Sequence, residues 1–358
     1  MNIALETNAP FVTRAGTARY VRGLLTGLHQ ITRPDVNWFE LAWPVENLDY
    51  RQPRRAWRTI YREMVWSRTT AVRELAKRHP DVIHLTGELN IIPPARIPVV
   101  RTLLDCSAIR YPERFRRWQR NRGPSRLRCI PSADRVICIS RFTADEGIRW
   151  LGLDPKKIDV VHLGSDFGEA GTCRNEKQPS FRLPSIFFLF IGSLEPGKNL
   201  ALLRETYLLA EQHGIDLPPL VVIGVRPEGL SYEGAAPSNW QLVGWQPDEV
   251  LLYCLRRAMA FVFPTKYEGF GLPLLEAMSV GCPAICSPVA SLPEIGGDAV
   301  KYCEQTADAY LEAMSEICRG DHLRNQLSEL GQKQARKFSW RQCAEETIDS
   351  YRKSLGKY

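Results

Sequence analysis

The sequence predicts an α/β protein of two domains, each built around a parallel, doubly wound sheet. Short apolar runs alternate with segments of helical apolar spacing along the whole chain, which is typical of parallel strands joined by crossover helices. At 358 residues the chain exceeds the roughly 250–300 residues at which a single core stops growing. A polar stretch with glycine and proline, residues 164–184, interrupts the alternation and is interpreted as the linker.

The first half of the chain carries four strand signals and two helix signals. Strands are predicted at 2–6, 82–85, 98–100 and 135–139, where apolar residues run together. A helix is predicted over 16–31, because Tyr20, Leu24 and Leu28 recur every four residues. Ser140 follows the last of these strands and marks a capped helix start.

The strand and helix signals resume after the linker. Strands are predicted at 186–191, 220–223, 260–263 and 283–286, and helices at 200–212, 248–257, 273–280 and 340–355. In such sheets a ligand binds beyond the carboxyl ends of the strands, where the strand order reverses. The turns between strands and helices are therefore the places to look for chemistry.

The composition excludes several classes of protein. Hydrophobic residues make up 44% and charged residues 24%, as in ordinary globular proteins. No stretch approaches the roughly 18 uncharged apolar residues of a membrane span, and the first strand follows Met1 so closely that no signal peptide is expected.

The ten cysteines form no CxxC pair, so reduced residues of a cytosolic protein are expected. Cys282 and Cys286 lack the further ligands of a zinc site, so no metal is expected.

The chain has a net charge of +7, and its positive charge is concentrated in two basic segments. Residues 51–78 hold nine Lys or Arg and two Glu, and residues 110–128 hold eight Arg and one Glu, so that each carries +7. Trp57, Trp66 and Trp118 lie among these cations, a pattern that suits an anionic membrane surface or an anionic acceptor. A solvated helix face explains the charge equally well. No nucleic-acid-binding motif accompanies it, so no nucleic acid partner is expected.

The turn after the predicted strand at 260–263 gives the strongest functional signal. Gly269 and Gly271 permit a tight turn with close approach of the backbone to a ligand. Pro273 suits the first turn of the helix that follows. The amides at that helix start can hold a diphosphate.

Two carboxylates, Glu268 and Glu276, flank the same turn. Because carboxylates repel phosphate, they suit the neutral hydroxyls of ribose and hexose instead. The pattern therefore indicates either a nucleotide-sugar site or an ordinary capped helix with acids at its positive end, and the spacing alone leaves both open.

Two further turns carry weaker signals. Lys198 follows the predicted strand at 186–191, where a cation would stabilise a departing diphosphate; alternatively it is a surface lysine that caps nothing. Gly16 and Thr17 close the first strand, and backbone amides there suit the same diphosphate from the other domain. This turn is not the GxGxxG fingerprint, which disfavours a dehydrogenase.

Taken together, these segments resemble the retaining family-4 glycosyltransferases of the GT-B fold. Glu268 and Glu276, with seven residues between them, resemble that family's E-x7-E motif, and the loop through Lys198 and Asn199 resembles its phosphate-binding loop. The resemblance covers nearly the whole chain. It implies two Rossmann-like doubly wound domains that face each other across a cleft. The first is an acceptor-binding domain at 1–170, and the second is a nucleotide-sugar-binding domain at 171–337. A last helix at 338–358 would cross back to the first domain.

The resemblance also implies the roles of single residues. Glu276 would bind the ribose hydroxyls, Glu268 would bind hydroxyls of the transferred sugar, and Lys198 would stabilise the leaving diphosphate. The base would lie near Val243 and Gly244, and phosphate would meet the amides of the glycine turns. No divalent metal or other cofactor is implied, and front-face attack would retain the anomeric configuration. The donor-binding residues implied are Gly16, Thr17, Ser193, Lys198, Asn199, Val243, Gly244, Glu268, Gly269, Phe270, Gly271, Leu272 and Glu276.

Two positions depart from the family's pattern. Gly197 stands where many members have an arginine before the lysine. Leu104 stands where many members have a histidine that contacts the donor sugar. Asp105, which follows it, is retained, and is either a catalytic residue or a turn residue at a strand end.

The predicted function is that of a metal-independent retaining glycosyltransferase in surface polysaccharide assembly. It would move a hexose from a nucleotide sugar to a saccharide or lipid-linked saccharide acceptor. Likeness to mannosyltransferases favours GDP-mannose as the donor, and UDP-hexose and deoxysugar donors stay open. A lipid-linked acceptor would bring this cytoplasmic protein to the inner membrane face. Two alternatives also stay open: a non-catalytic nucleotide-sugar-binding subunit, which Leu104 and Gly197 favour, and a nucleotide-sugar epimerase.

Overall fold

The computed structural model describes residues 1–48, 54–87, 89–93, 96–112, 127–168, 171, 173–225 and 236–356. The chain divides into two compact units. The first unit combines Met1–Gly164 with Trp340–Tyr358, and the second is Ser165–Ser339. In the basic segment at 110–128, Trp118 and the rest of 113–126 lie outside the described residues.

The first unit is a six-stranded parallel sheet with helices between the strands. Its strands are β1 Asn2–Glu6, β2 Asn37–Leu41, β3 Val82–Leu85, β4 Val99–Leu103, β5 Arg135–Cys138 and β6 Ile158–Val160, in the order β2-β1-β3-β4-β5-β6. Its α-helices among the described residues are Ala9–Val12, Gly16–Gln30, Arg54–Ile60, Thr70–Arg78, Ser107–Arg110, Arg141–Leu151 and Trp340–Ser354. The strand order reverses between β1 and β3, so the topology is doubly wound.

The predicted capped helix start is confirmed. The side-chain oxygen of Ser140 accepts a hydrogen bond from the Thr143 amide at 3.0 Å. Helix Arg141–Leu151 ends at Gly152, whose φ of 65° lies in the left-handed region. The helix is therefore bounded by a side-chain cap at one end and a glycine at the other, as local sequence signals dictate.

The last helix, Trp340–Ser354, packs against helix Gly16–Gln30 of the first unit. Gly23 and Gly27, one turn apart on the earlier helix, make room for it. A Cβ added at Gly23 would lie 2.1 Å from the Trp340 ring, and one added at Gly27 would lie 2.0 Å from the Trp340 carbonyl oxygen. Glycine at these two positions lets the helices approach this closely.

A buried chain of hydrogen bonds joins the last helix to the centre of the first sheet. His84 lies 2.7 Å from the Tyr351 hydroxyl through Nδ1 and 2.8 Å from Thr102 Oγ1 through Nε2. Tyr20 Oη completes the chain 2.8 Å from the same Thr102 oxygen. Burial lowers the pKa of His84 to about 3, so its imidazole is neutral in the folded protein at neutral pH.

The second unit has a six-stranded parallel sheet of its own. Its strands are β7 Phe188–Ile191, β8 Leu220–Ile223, β9 Trp240–Gly244, β10 Ala260–Phe263, β11 Ala284–Cys286 and β12 Lys301–Tyr302, in the order β12-β11-β10-β7-β8-β9. Its α-helices among the described residues are Leu200–Gln212, Asp248–Leu255, Leu272–Ser279, Leu292–Gly296, Ala307–Arg319 and Asp321–Ala335. The strand order reverses between β7 and β10, which are hydrogen-bonded neighbours.

Central strands of both sheets are buried along their whole length, as the continuous apolar runs predicted. β3, β7, β8 and β10 show no exposed or half-exposed residue. Such runs are typical of parallel strands that helices cover on both faces. Among the described residues, no helix is both long enough and apolar enough to cross a membrane.

Candidate active site

Two loops of the second unit meet at its topological switch point. Because β7 and β10 are parallel neighbours, the turns after Ile191 and Phe263 leave the same edge of the sheet side by side. The Gly197 carbonyl in the first turn accepts hydrogen bonds from the Lys266 amide at 2.9 Å and the Thr265 hydroxyl at 3.1 Å. The turn-to-turn bonds hold the two loops in a fixed register.

The ammonium of Lys198 contacts the Oε1 atom of Glu268 across these two loops. The side chains are 15% and 13% exposed, so both are largely shielded yet still open to a ligand from solvent. The same ammonium lies 5.6 Å from the centre of the Phe263 ring, whose face attracts a cation. The structure thus brings together two of the three predicted catalytic residues.

The hydroxyl of Thr265 lies 3.0 Å from the same Oε1 atom of Glu268. Thr265 is completely buried, and its backbone carbonyl accepts a hydrogen bond from the Gln305 side chain at 2.8 Å. Ser291 donates to the Glu268 backbone carbonyl at 2.9 Å. These contacts fix both the backbone and the carboxylate of Glu268, which is the preorganisation that a binding site requires.

The helix Leu272–Ser279 begins directly after the Glu268 turn. Gly271 precedes it with φ 98°, a conformation that L side chains rarely adopt. A Cβ added there would also lie 2.6 Å from the Leu292 side chain. The first amides of an α-helix have no carbonyl partner within the helix. The amides of Gly271 and Leu272 therefore stay candidates for contact with phosphate.

Gly269 and Phe270 form the tight part of the turn itself. Both are buried, and Phe270 packs edge-to-face on Phe338 with ring centres 6.0 Å apart. The aromatic pair therefore anchors the turn. The anchoring makes the loop a stable support for a ligand.

Glu276 lies one turn into the same helix and is 1% exposed. Its neighbour Ser279 bonds back to the Glu276 carbonyl at 2.8 Å, which closes the end of the helix. The side chain therefore lies inside the protein rather than on its surface. Its predicted contact with ribose hydroxyls stays a prediction.

The remaining predicted residues of this unit flank the two loops. Asn199 has φ 57° and precedes helix Leu200–Gln212, and Ser193 is half-buried in the turn after β7.

Val243 is the extra residue of a β-bulge, since Val222 pairs with Leu242 whereas Ile223 pairs with Gly244. The Val243 carbonyl accepts a hydrogen bond from the Gln246 side chain at 2.9 Å. The bulge redirects the chain at the carboxyl end of the sheet, where the base was expected.

Three predicted residues belong to the first unit. Gly16 and Thr17 open helix Gly16–Gln30, and a Cβ added at Gly16 would meet no atom within 4 Å. Asp105 follows β4, and its Oδ1 atom accepts hydrogen bonds from the amide and hydroxyl of Ser107 at 2.8 and 2.5 Å. These bonds make Asp105 a turn residue at the start of helix Ser107–Arg110. Its catalytic role stays a prediction.

Cys282 and Cys286, which lack the further ligands of a zinc site among the described residues, lie in the core of the second unit. Both are buried. Burial raises the pKa of the Cys282 thiol to about 12 and that of Cys286 well above its usual range. A metal would need the thiolate form, which these surroundings oppose.

Sequence reasoning missed the residues that support Glu268. Thr265 and Phe263 stand just before the motif, and Ser291 lies 23 residues after Glu268. A buried threonine at a strand end is a signal for a side-chain bond to the adjacent turn, and could have been found. The contact of Ser291 depends on tertiary packing, which no local pattern reveals.

Comparison with protein families gives two matches that follow one another along the chain. The model described as Glycosyltransferase Family 4 matches residues 14–168, and the model described as Glycosyl transferases group 1 matches residues 174–334. The second match contains both loops of the site and helix Leu272–Ser279.

Among characterised proteins, the chain is similar to the O-antigen chain mannosyltransferase B of Escherichia coli. The two are 32% identical over 234 residues, which is 62% of this chain. The chain spans about three fifths of that relative's length, 61%.

Solved structures match over the full chain. Sucrose-phosphate synthase from Thermosynechococcus elongatus superimposes with a TM-score of 0.70 at 20% identity, covering 100% of both chains. Anabaena HepE in complex with UDP-glucose superimposes with a TM-score of 0.64 at 14% identity, covering 98% of both chains. At such identities the likeness establishes the fold, and it confirms the predicted fold class.

Proposed function

The chain belongs to the group 1 and family 4 glycosyltransferases, and from that membership we propose that it moves a hexose from a nucleotide sugar to a saccharide acceptor. The observation that carries the proposal is the contact between Lys198 and Glu268 at the switch point of the second sheet. Ligands of doubly wound sheets bind at such a point, so chemistry placed there is available to a substrate.

Lys198 is the group we assign to the leaving diphosphate. Breaking the sugar–phosphate bond adds negative charge to the phosphate oxygens, and a preorganised cation in a shielded site stabilises that charge strongly. Its low exposure, 15%, and its position over the Phe263 ring support this assignment. The first amides of helix Leu272–Ser279 add a second positive site for the same phosphates.

Glu268 is the group we assign to the transferred sugar. Its carboxylate already accepts bonds from an ammonium and a hydroxyl, and sugar hydroxyls are donors of the same kind. On donor binding, the sugar hydroxyls take the place of Lys198 at Glu268, and Lys198 turns to the diphosphate.

We further propose that transfer is metal-independent and retains the anomeric configuration. Lys198 and the helix amides supply the positive charge that a divalent metal would otherwise bring. Glu268 is held by Thr265 and Lys198, so it is a hydroxyl acceptor rather than a nucleophile. The acceptor hydroxyl would then attack on the face that the diphosphate leaves, and would pass its proton to the phosphate oxygen. Asp105, Gly16 and Thr17 remain candidates for contact with the substrates.

Likeness to an O-antigen mannosyltransferase supports mannose as the sugar and surface polysaccharide assembly as the setting. GDP-mannose is accordingly the donor we propose first. HepE was solved with UDP-glucose, which makes UDP-hexoses the next donors to test. We propose a saccharide or lipid-linked saccharide as the acceptor.

We place the reaction in the cytoplasm. None of the ten cysteines, all of which lie within the described residues, forms a disulfide, and thiols persist in a reducing compartment. A lipid-linked acceptor would bring the protein to the inner face of the membrane.

The experiment that tests the proposal is a donor screen with the purified chain. GDP-mannose, UDP-glucose and other nucleotide sugars are compared by thermal shift and saturation-transfer NMR, and donors that bind are then tested for hydrolysis and transfer. Binding with turnover by the isolated chain supports the proposal and excludes a non-catalytic subunit. Solvent hydrogen appearing in the donor sugar would point to an epimerase instead, and no binding of any donor at millimolar concentration would overturn the proposal.

A further inference from the structure

Two large apolar side chains are exposed at the carboxyl end of the second sheet. Val225 comes after β8 and is 54% exposed, and Trp245 comes directly after β9 and is 48% exposed. Both stand at the edge of the sheet that carries Lys198 and Glu268, where ligands of doubly wound sheets bind. Apolar side chains left open at such an edge indicate a surface that a ligand covers.

Backbone hydrogen bonds join these two positions to each other and to the active-site loops. The Gly224 amide donates to the Gly244 carbonyl at 2.9 Å, so Val225 and Trp245 leave adjacent strands side by side. The Val225 carbonyl accepts a bond from the Leu194 amide at 3.0 Å, which ties it to the loop after β7. Because β8 alone separates β9 from β7, Trp245 lies about two strand spacings, roughly 10 Å, from that loop.

The position of Trp245 is closely fixed by what precedes and follows it. Gly244, with φ 71°, ends the bulged strand just before it, and the segment 245–247 leads directly into helix Asp248–Leu255. The Gln246 side chain donates to the Val243 carbonyl at 2.9 Å and so closes this short turn. A rigid aromatic side chain on a fixed backbone offers a large contact area at a low cost in conformational entropy.

We propose that Trp245, with Val225 beside it, is the platform on which the purine base of the donor stacks, and that it makes the site prefer purine to pyrimidine nucleotides. The inference deepens the proposed function and rests on it, since a diphosphate at Lys198 sets where the base can lie. In a nucleotide the ribose separates the diphosphate from the base, and two strand spacings leave room for that ribose.

The size and chemistry of the platform favour a base over a protein partner. Two side chains expose far less than the roughly 800 Å² that each partner buries in a stable protein interface. Every base has a flat π-face that stacks on an aromatic ring. Because indole has two fused rings, a two-ring purine covers more of Trp245 than a one-ring pyrimidine does, and the contact area sets the gain.

Calorimetric titration of the full chain with GDP, ADP, UDP and inorganic pyrophosphate tests the proposal. Pyrophosphate probes the diphosphate site without a base. The unsubstituted chain should bind GDP and ADP at least about threefold more tightly than UDP. Trp245→Ala should lower GDP affinity about tenfold, the usual loss for one stacked base, should narrow the difference between GDP and UDP, and should leave pyrophosphate affinity unchanged. Trp245→Phe should recover most of the loss, because it keeps a ring.

The matched control is Leu242→Ala, which removes an apolar side chain that is 47% exposed on the same strand but lies before the bulge. It should bind every ligand as the unsubstituted chain does, and circular dichroism should show all variants folded. Unchanged GDP affinity in Trp245→Ala, an equal loss of GDP and pyrophosphate affinity, or an equal loss in the Leu242 variant would each overturn the platform. UDP bound as tightly as GDP by the unsubstituted chain would overturn the purine preference. If that chain binds neither the nucleotides nor pyrophosphate, the proposed function fails together with the platform.

Discussion

The ammonium of Lys198 contacts the Glu268 carboxylate although 70 residues separate them in the sequence. In the free protein each group therefore satisfies the other. A sugar diphosphate brings negative charge for the lysine and hydroxyl donors for the glutamate, so one ligand can replace both halves of the contact. Removing one partner leaves the other shielded and uncompensated, which makes single substitutions informative.

Glu268→Gln should separate recognition of the sugar from recognition of the phosphates. Glutamine keeps the shape of the side chain but loses the charge that hydroxyl donors favour, so we expect nucleotide-sugar affinity to fall about tenfold. Affinity for the nucleoside diphosphate alone should be unchanged or higher, because Lys198 loses a competing anion. Calorimetric titration with both ligands measures this.

The control for that variant is Glu211→Gln, an exposed acid at the end of helix Leu200–Gln212. It should bind both ligands as the unsubstituted chain does. Equal loss of affinity for sugar nucleotide and bare diphosphate in Glu268→Gln would contradict the assignment of this residue to the sugar.

Glu276→Ala should weaken donor binding by about tenfold to a hundredfold, the cost of losing a charged hydrogen bond. Because Glu276 is 1% exposed, this variant also tests whether the residue serves the fold. Glu276→Gln keeps the volume and separates the two effects. If both variants bind the donor normally while their melting temperatures fall, Glu276 has a structural role only.

Gly271→Ala should lower both stability and donor affinity. The residue has φ 98°, and the new Cβ would meet the Leu292 side chain at 2.6 Å. We expect a loss of about 1–3 kcal/mol in the free energy of unfolding, measured by urea denaturation. The matched control is Gly214→Ala, where φ is 65° but no atom lies within 4 Å of the added Cβ.

The Gly214 control should cost about 1 kcal/mol for the backbone alone and should leave donor binding unchanged. Equal effects of the two glycine substitutions on donor affinity would show that the helix start at Leu272 does not hold the phosphates.

The stability of the first unit should fall on mild acidification because of His84. Burial lowers the pKa of this histidine from 6.5 to about 3. Between these values the unfolded chain binds a proton that the folded chain does not, so the stabilisation is complete above pH 6.5 and is lost as the pH falls toward 3. The slope is about 1.4 kcal/mol per pH unit.

His84→Gln should remove this dependence. Between pH 7 and pH 5 the unsubstituted chain should lose about 2 kcal/mol more of its free energy of unfolding than the variant does. Urea denaturation at the two pH values gives both numbers. Parallel losses would mean that burial does not lower the pKa of His84 in solution.

The strands that sequence patterns did not predict are the edges of the two sheets: Asn37–Leu41, Ile158–Val160, Trp240–Gly244 and Lys301–Tyr302. Central strands are buried on both faces and therefore read as continuous apolar runs. Edge strands alternate or stay half-exposed, as Trp240–Gly244 does, and their pairing depends on neighbours that are distant in the sequence. Local patterns cannot supply that information.

The site was predictable to a similar extent. Both Lys198 and Glu268 could be assigned to turns after buried strands, because each follows an apolar run. Which turns are neighbours depends on the strand order, in which β10 pairs with β7. The charged residues of 51–78 were interpreted as a lipid-facing or solvated surface, but only the structure reveals that Arg58 and Arg62 donate hydrogen bonds to backbone carbonyls of the protein.

The measurement that bears most directly on the central claim is the turnover of Lys198→Ala at saturating donor, with Lys177→Ala, an exposed lysine of the same unit, as control. If Lys198 stabilises the leaving diphosphate, turnover should fall about a hundredfold to a thousandfold, a larger change than that in donor affinity, and the control should keep full activity. Unchanged turnover in a folded Lys198→Ala protein would contradict the account.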